Sequence, residues 1–193
     1  LAKAGDVGED PEVVGSYLYW ACRAGLDLSV IRGLAEKCRK DGIDLLAAGR
    51  AATGGHTDVL DLLASEFGAR IGVYCLTYAS TRGRDAMIDH LVEKYGVDPN
   101  GGGEYGWTAL HDAASRGRVR TVKHLIEKYN VDIHTRDRYG KTALDWAESN
   151  GMTECAAVLR GYGATNGEPV EEEAWTENDW DSDDNSDADH DVM

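Results

Sequence analysis

The stretch "WTALHDAASRG", residues 107–117, is followed by a near copy of itself, "KTALDWAESNG", at residues 141–151. The two copies start 34 residues apart, and the same spacing separates Gly83, Gly117 and Gly151. A second pair of related stretches, "HLVEKYGVDPN" (90–100) and "HLIEKYNVDIH" (124–134), also has this spacing. The chain therefore uses a unit of 34 residues at least three times.

The first half of the unit predicts a short helix with one buried side. Leu110, Ala113 and Ala114 recur at positions i, i+3 and i+4, which is the spacing of an apolar stripe on a helix. Thr108 stands where an N-cap residue is expected. Gly117 is expected to end this helix.

The second half of the unit predicts another helix, from Val119 to about Tyr129. Its buried stripe is formed by Val122, Leu125 and Ile126, and the polar stretch that follows predicts a turn region. Each unit is thus predicted to be a helix, a turn, a second helix and an extended loop. The predicted fold class is all-α.

These residues resemble the ankyrin repeat family, whose units carry a pattern like T-P-L-H-x-A-A-x-x-G-H. The segments 108–117 and 142–151 match it best, and "GGHTDVLDLL" (54–63) resembles the family's second helix. The earliest unit, "SYLYWACRAG" (16–25), diverges most. The resemblance covers five units in residues 14–164 and implies a curved ankyrin repeat solenoid. Residues 1–13 are then an N-terminal extension.

The resemblance also implies that a concave face, lined by the first helices and the hairpin loops, holds another protein. The register agrees, because Asp112 lies opposite the buried stripe of its helix. We expect an exposed row of aromatic and arginine residues there, the residue types that dominate binding hot spots. For Trp20 and Trp146, packing within the repeats is the alternative. The candidate partner-binding residues are Trp20, Arg23, Arg50, Tyr78, Arg82, Trp107, Asp112, Arg116, Arg138, Tyr139 and Trp146.

The acidity of the chain is concentrated at its end. The formal net charge is −15, but residues 165–193 hold 12 of the 35 acidic residues and none of the 20 lysines and arginines. Residues 1–164 therefore carry 23 acidic and 20 basic side chains, a charge of only −3. Dense like charge with few aliphatic residues predicts a disordered acidic tail over 165–193. This tail either stays solvated or covers the arginine-bearing face through Trp175, Trp180 and its carboxylates.

No pattern of catalytic or metal-binding residues is evident in the sequence. His111 is expected to hydrogen-bond Thr108 and orient the turn, and the other histidines lack metal-ligand spacing. No nucleophile set or phosphate-binding loop is present, and the four cysteines indicate reduced thiols with a structural role. No apolar run is long enough for a membrane span. We therefore expect neither an enzyme nor a cofactor nor a membrane protein.

The main functional hypothesis is an adaptor or scaffold that binds an intracellular protein. One alternative is a chaperone or escort that uses the acidic tail to shield a basic client, as some small ankyrin proteins do for ribosomal proteins. Another is a C-terminal regulatory module of a larger protein. The negative charge argues against nucleic acid as a partner. A monomer is expected, located in the cytoplasm or, alternatively, in the nucleus.

Overall fold

The computed structural model describes residues 11–38 and 45–168, and every regular element in these ranges is helical. The all-α prediction is confirmed. A 3₁₀ turn occupies Glu104–Gly106, and the α-helices alternate between a first and a second helix of each unit. The first helices are α1 (Pro11–Ala24), α3 (Leu45–Gly54), α5 (Val73–Thr81), α7 (Ala109–Ser115) and α9 (Ala143–Ser149). The second helices are α2 (Leu28–Cys38), α4 (Thr57–Phe67), α6 (Asp85–Tyr95), α8 (Val119–Tyr129) and α10 (Thr153–Gly161).

The five helix pairs stack side by side as a solenoid. Each first helix packs on the next one, in the order α1, α3, α5, α7 and α9, and each also packs on the second helix of its own unit. Leu110, Ala113 and Ala114 are buried as predicted. The small alanine side chains suit this arrangement, because they let neighbouring first helices approach closely.

Glycines at the 34-residue spacing end the first helices. Gly83, Gly117 and Gly151 have φ values of 68°, 67° and 70°, a left-handed conformation that side chains with a Cβ adopt at a cost. A Cβ on Gly117 would also lie 2.7 Å from the sulfur of Met152. The predicted role of Gly117 is therefore confirmed, and the repeat spacing of glycine has a steric cause.

Residues 165–168, which the sequence interpretation assigned to the tail, bind to the last unit. Asp145 accepts hydrogen bonds from the backbone N–H of Gly167 (2.7 Å) and from the side-chain amide of Asn166 (2.7 Å). Glu168 pairs with Arg136 at 3.5 Å. The chain thus leaves the solenoid beside the loop that precedes α9. Most of the predicted extension (1–10) and the rest of the predicted tail (169–193) lie outside the described residues.

A repeated carboxylate cluster joins neighbouring second helices. Asp61 on α4 accepts hydrogen bonds on Oδ1 from His90 (2.7 Å) and the Tyr95 hydroxyl (2.6 Å), and its Oδ2 pairs with Lys94 (2.6 Å). Burial opposes ionisation of Asp61, but the hydrogen bonds from Lys94, Tyr95 and His90 outweigh it and lower the pKa to about 2. The repeated "H-x-x-x-K-Y" stretch builds this cluster.

The same cluster recurs one unit later. Asp89 on α6 accepts from His124 (2.7 Å), Tyr129 (2.6 Å) and Lys128 (2.8 Å). The helix α6 thereby takes an aspartate from α4 in the previous unit and supplies one to α8 in the next unit. We interpret these Asp–His–Tyr–Lys sets as contacts that hold neighbouring repeats together, because the polar groups in each set form hydrogen bonds or ion pairs with one another.

Asp61→Ala is expected to lower the free energy of unfolding by about 2 kcal/mol, because it leaves two half-buried donors without their acceptor. Glu66→Ala is the matched control on the same helix. Glu66 forms an exposed bidentate pair with Arg32, which water and salt screen, so its loss should cost much less than the loss of Asp61. Urea unfolding of both variants at neutral pH measures the difference. Equal losses would contradict the proposed role of the cluster.

The contribution of Asp61 should depend on pH. Its pKa is lower in the folded protein than the value of about 3.9 of an unfolded aspartate. The stabilisation is therefore present above about pH 4 and is lost as the pH falls toward 2. The difference between the native protein and Asp61→Ala should shrink over this range.

Candidate functional site

Two hairpin-like loops project from the N-terminal ends of α7 and α9. We call these loops fingers and number them by the repeat unit whose first helix they precede. The fourth finger (residues 101–107) is closed by a hydrogen bond from the Gly103 N–H to the Trp107 carbonyl (2.8 Å). The fifth finger (135–141) is closed in the same way by Asp137 and Lys141 (2.9 Å). The Arg138 N–H donates to the Tyr105 carbonyl (2.7 Å), so the two fingers are joined through their backbones.

An aromatic groove of about 400 Å³ lies between these fingers and the first helices. Its walls come from three successive units, since α5, both fingers and α9 contribute. Three of its rings remain well exposed, with 38% of Tyr74, 51% of Tyr105 and 48% of Tyr139 accessible to solvent. The groove is lined by Tyr74, Thr77, Gly103, Tyr105, Trp107, Tyr139 and Trp146.

Tyr105 lines the groove from a left-handed backbone conformation. Its φ of 66° and ψ of 18° are common for glycine but cost free energy for a bulky side chain, about 1–2 kcal/mol. Half of the Tyr105 side chain is exposed, so burial of the ring offsets little of this backbone cost. A tyrosine held in this way is better explained by a role at the surface than by the stability of the fold.

Indole–carboxylate hydrogen bonds fix the two tryptophans of the groove. The Trp146 Nε1–H donates to Asp137 Oδ2 at 2.7 Å, and the buried Asp137 carboxylate also accepts from the backbone N–H groups of Tyr139 and Lys141. Trp107 donates to Asp112. In the fourth unit the loop supplies the indole and α7 the carboxylate, whereas in the fifth unit these roles are reversed.

This reversal explains why the copied stretch carries Trp146 where the original carries Asp112. Both arrangements tie a first helix to its own finger. The rings of Trp107 and Trp146 pack edge-on with their centroids 4.7 Å apart, so the two ties share one wall of the groove.

Positive charges lie at the rim of the groove. The Arg138 guanidinium lies over the Tyr105 ring at 4.0 Å, and Lys141 Nζ lies over Trp146 at 4.5 Å. These cations occupy positions over the aromatic faces, where ring quadrupoles attract positive charge. A ligand in this groove therefore meets apolar rings bordered by a guanidinium and an ammonium.

His111 has the structural role that its sequence position predicts. The Thr108 N–H donates to Nδ1 (3.2 Å), which leaves the proton on Nε2 to donate to the Lys141 carbonyl (3.2 Å). Burial lowers the pKa of His111, which favours this neutral form. The imidazole thus joins α7 to the fifth finger.

The predicted exposed row is only partly exposed, and this expectation needs correction. Trp20 is 58% exposed, but Arg50, Tyr78, Asp112 and Trp146 are half-buried. The helix register placed these residues correctly on the side away from the α7 core stripe. It could not show that Arg50 packs between Tyr19 and Tyr78, or that finger residues contact Asp112 and Trp146.

The remaining predicted residues fall into separate places. Trp107, Tyr139 and Trp146 line the groove, and Arg138 borders it. Trp20 and Arg23 are adjacent on α1 (5.4 Å), and Arg50 stacks between Tyr19 and Tyr78 (4.1 and 5.5 Å). Arg82 and Arg116 are exposed C-caps at the ends of α5 and α7 opposite the fingers.

The sequence reasoning missed several residues of the site, among them Tyr74, Tyr105 and Asp137. Tyr105 could have been found, because "YG" occurs at 105–106 and again at 139–140, with the repeat spacing. Tyr74 and Asp137 carry no such signal. Their roles depend on how the fingers fold against α5 and α9.

Burial of Asp112 raises its pKa to about 6, against smaller opposing contributions from Trp107, Thr81 and Arg116. Since the folded protein holds this proton more tightly than the unfolded chain, the contribution to stability is full below about pH 4 and is lost as the pH rises through 6. The free energy of unfolding of Asp112→Asn, taken relative to that of the native protein, should therefore rise by about 1–2 kcal/mol as the pH is raised from about 4 to about 7. Denaturant unfolding at both pH values measures this change. An equal difference between the two proteins at pH 4 and at pH 7 would contradict the raised pKa of Asp112.

No three His, Cys, Asp or Glu residues in residues 11–38 and 45–168 cluster as metal ligands. Within that same part of the chain, none of the helices has the length and apolarity of a membrane span. The four cysteines are buried thiols, and burial raises the pKa of Cys22 to about 12.

Comparison with known proteins agrees with this architecture. Residues 76–168 match the family model described as "Ankyrin repeats (3 copies)". No curated protein matches the chain. The matched region and the helix pairs described above are consistent with an ankyrin repeat family. The two helix pairs before the matched region pack in the same rows as the later ones. Ankyrin repeats indicate a protein–protein interaction module, and the family is typically non-catalytic.

Proposed function

We propose that this protein is a non-catalytic adaptor or scaffold that binds a protein of the cytoplasm or nucleus through the aromatic groove. The observation that carries the proposal is Tyr105, an exposed aromatic residue that lines the groove from a costly backbone conformation. Aromatic rings bordered by arginine are typical of binding hot spots, because they combine apolar area with directed donors. The rigid connection of both fingers reduces the entropy lost on binding.

The test compares proteins captured from a cell extract by the full chain and by two variants. Tyr139→Ala removes a groove ring, whereas Tyr17→Ala removes a similarly exposed ring on α1, far from the fingers in the repeat order. Proteins recovered by the native chain and by Tyr17→Ala, but lost with Tyr139→Ala, would support the groove as the binding site. Equal recovery with all three would contradict it.

The acidic tail favours a second candidate, an escort for a basic client. A segment with 12 carboxylates and no lysine or arginine attracts basic surfaces through screened Coulomb forces. If the protein is an escort, client binding should weaken steeply with salt and with removal of residues 169–193. Binding that persists through both changes would favour the plain adaptor. A regulatory module of a larger protein would use the same groove.

A further inference from the structure

The aromatic groove is suited to an acidic segment that carries an aromatic residue. Its own carboxylates, Asp112 and Asp137, are directed to the indoles of Trp107 and Trp146. The rim presents Arg138 and Lys141, which lie over the rings. A cationic ligand would meet like charge at these ring faces. A ligand with carboxylates around an aromatic ring matches both the charge and the apolar lining.

The chain itself supplies such a segment next to the groove. Residues 165–168 are held against the last unit by Asp145 and Arg136, and the next residues include "EEEAWTENDWD" (171–181). This stretch has two tryptophans, six carboxylates and no basic residue.

The anchor lies close to the groove along the chain. Asp145 precedes Trp146, and Arg136 is in the same finger as Arg138 and Tyr139. Trp175 lies seven residue steps after Glu168, a reach of up to about 23 Å for an extended chain.

From this anchor, charge and reach, the geometry points to residues 171–181 of this chain as a ligand of the aromatic groove. A tryptophan of this segment occupies the groove, and its carboxylates lie against Arg138 and Lys141. This inference rests on the proposed function, because it takes the groove as the binding site and identifies the first ligand that a partner must displace. Tethering gives the segment an effective concentration of about 1 mM, so a weak contact is populated.

This position differs from the one that the sequence suggested. The arginine-bearing face predicted from the sequence includes Arg82 and Arg116, which lie at the C-terminal ends of α5 and α7, opposite the fingers. The anchored residues 165–168 instead start the tail at the finger end of the solenoid.

The tryptophans provide the test, because the chain has five and each gives one indole N–H signal in a ¹H–¹⁵N spectrum. Spectra of the full chain are compared with those of the double variant Trp175→Ala/Trp180→Ala at low salt. The signals of Trp107 and Trp146 should shift, while that of Trp20 on α1 should not and serves as an internal control. Unchanged Trp107 and Trp146 signals would overturn the inference.

Two charge variants test the segment itself. Glu171→Gln/Glu172→Gln/Glu173→Gln removes three charges beside Trp175, and Asp187→Asn/Asp189→Asn/Asp191→Asn removes three near the C-terminus. The first should move the Trp107 and Trp146 signals most of the way to their positions in the tryptophan variant, and the second should move them little. Equal shifts of these signals in the two variants would overturn the inference, because they would indicate a general electrostatic attraction of the whole acidic tail.

Dilution distinguishes the chain's own tail from that of a second copy. Shifts that do not change with protein concentration support the tethered contact, whereas shifts that disappear on dilution overturn it. These spectra are recorded without a partner. A negative result here therefore leaves the capture experiment with Tyr139→Ala unaffected, and loss of the proposed function would not alter the tail-dependent shifts.

Discussion

Trp146→Ala is expected to lower the free energy of unfolding by about 3 kcal/mol. The variant removes a half-buried indole and leaves the buried Asp137 Oδ2 without its charge-assisted hydrogen bond. It also removes the ring that packs on Trp107. The position alone would suggest a surface residue whose loss affects only binding. The contacts predict instead that the fifth finger loses its tie to α9.

Two variants control for this expectation. Trp146→Phe keeps a ring but loses the donor, so it should cost about half as much as the alanine variant. Trp20→Ala removes the tryptophan at the related place on α1, which is 58% exposed, and should cost less than about 1 kcal/mol. Denaturant unfolding of the three proteins at one pH provides the comparison. A Trp146→Ala loss no larger than that of Trp20→Ala would refute the structural role.

Tyr105→Gly is expected to change stability and binding in opposite directions. Glycine adopts a φ of 66° without the cost that tyrosine bears, so the free energy of unfolding should rise by about 0.5–1 kcal/mol. Affinity for the captured partner should fall by about 1–3 kcal/mol, or roughly 5- to 150-fold, since an exposed ring of the groove is lost. Thermal unfolding and titration calorimetry measure the two effects.

Tyr139→Ala is the matched control for this trade-off. Tyr139 is exposed to a similar extent and lines the same groove, but its φ is not positive. Its loss should weaken binding without increasing stability. A Tyr105→Gly protein that binds as tightly as the native chain would show that the strained tyrosine has no part in recognition.

The repeat architecture was predictable because its determinants are local. Thr108, Leu110 and Gly117 specify the cap, the buried stripe and the end of one helix, and each recurs after 34 residues. The structure confirms the bounds of α8 that periodicity predicted. Repeats contact mainly their neighbours, so correct local units lead directly to the correct stack.

The groove was less predictable because it depends on contacts between units. Helix register placed Trp146 and Asp112 away from the core, but it carries no information on which loop covers them. Asp137 lies in a polar loop and is nevertheless buried, since three N–H donors converge on its carboxylate. Only the folded arrangement of both fingers brings Tyr74 and Tyr105 to the same cavity.

Site-specific photo-crosslinking tests the central claim most directly, that a partner protein binds in the aromatic groove. A benzophenone amino acid is placed at Tyr139 in the groove or at Lys123, an exposed residue on α8. Both proteins are irradiated with the partner recovered in the capture experiment. The account predicts a covalent adduct from position 139 and little or none from position 123. An adduct from position 123 with none from position 139 would contradict it.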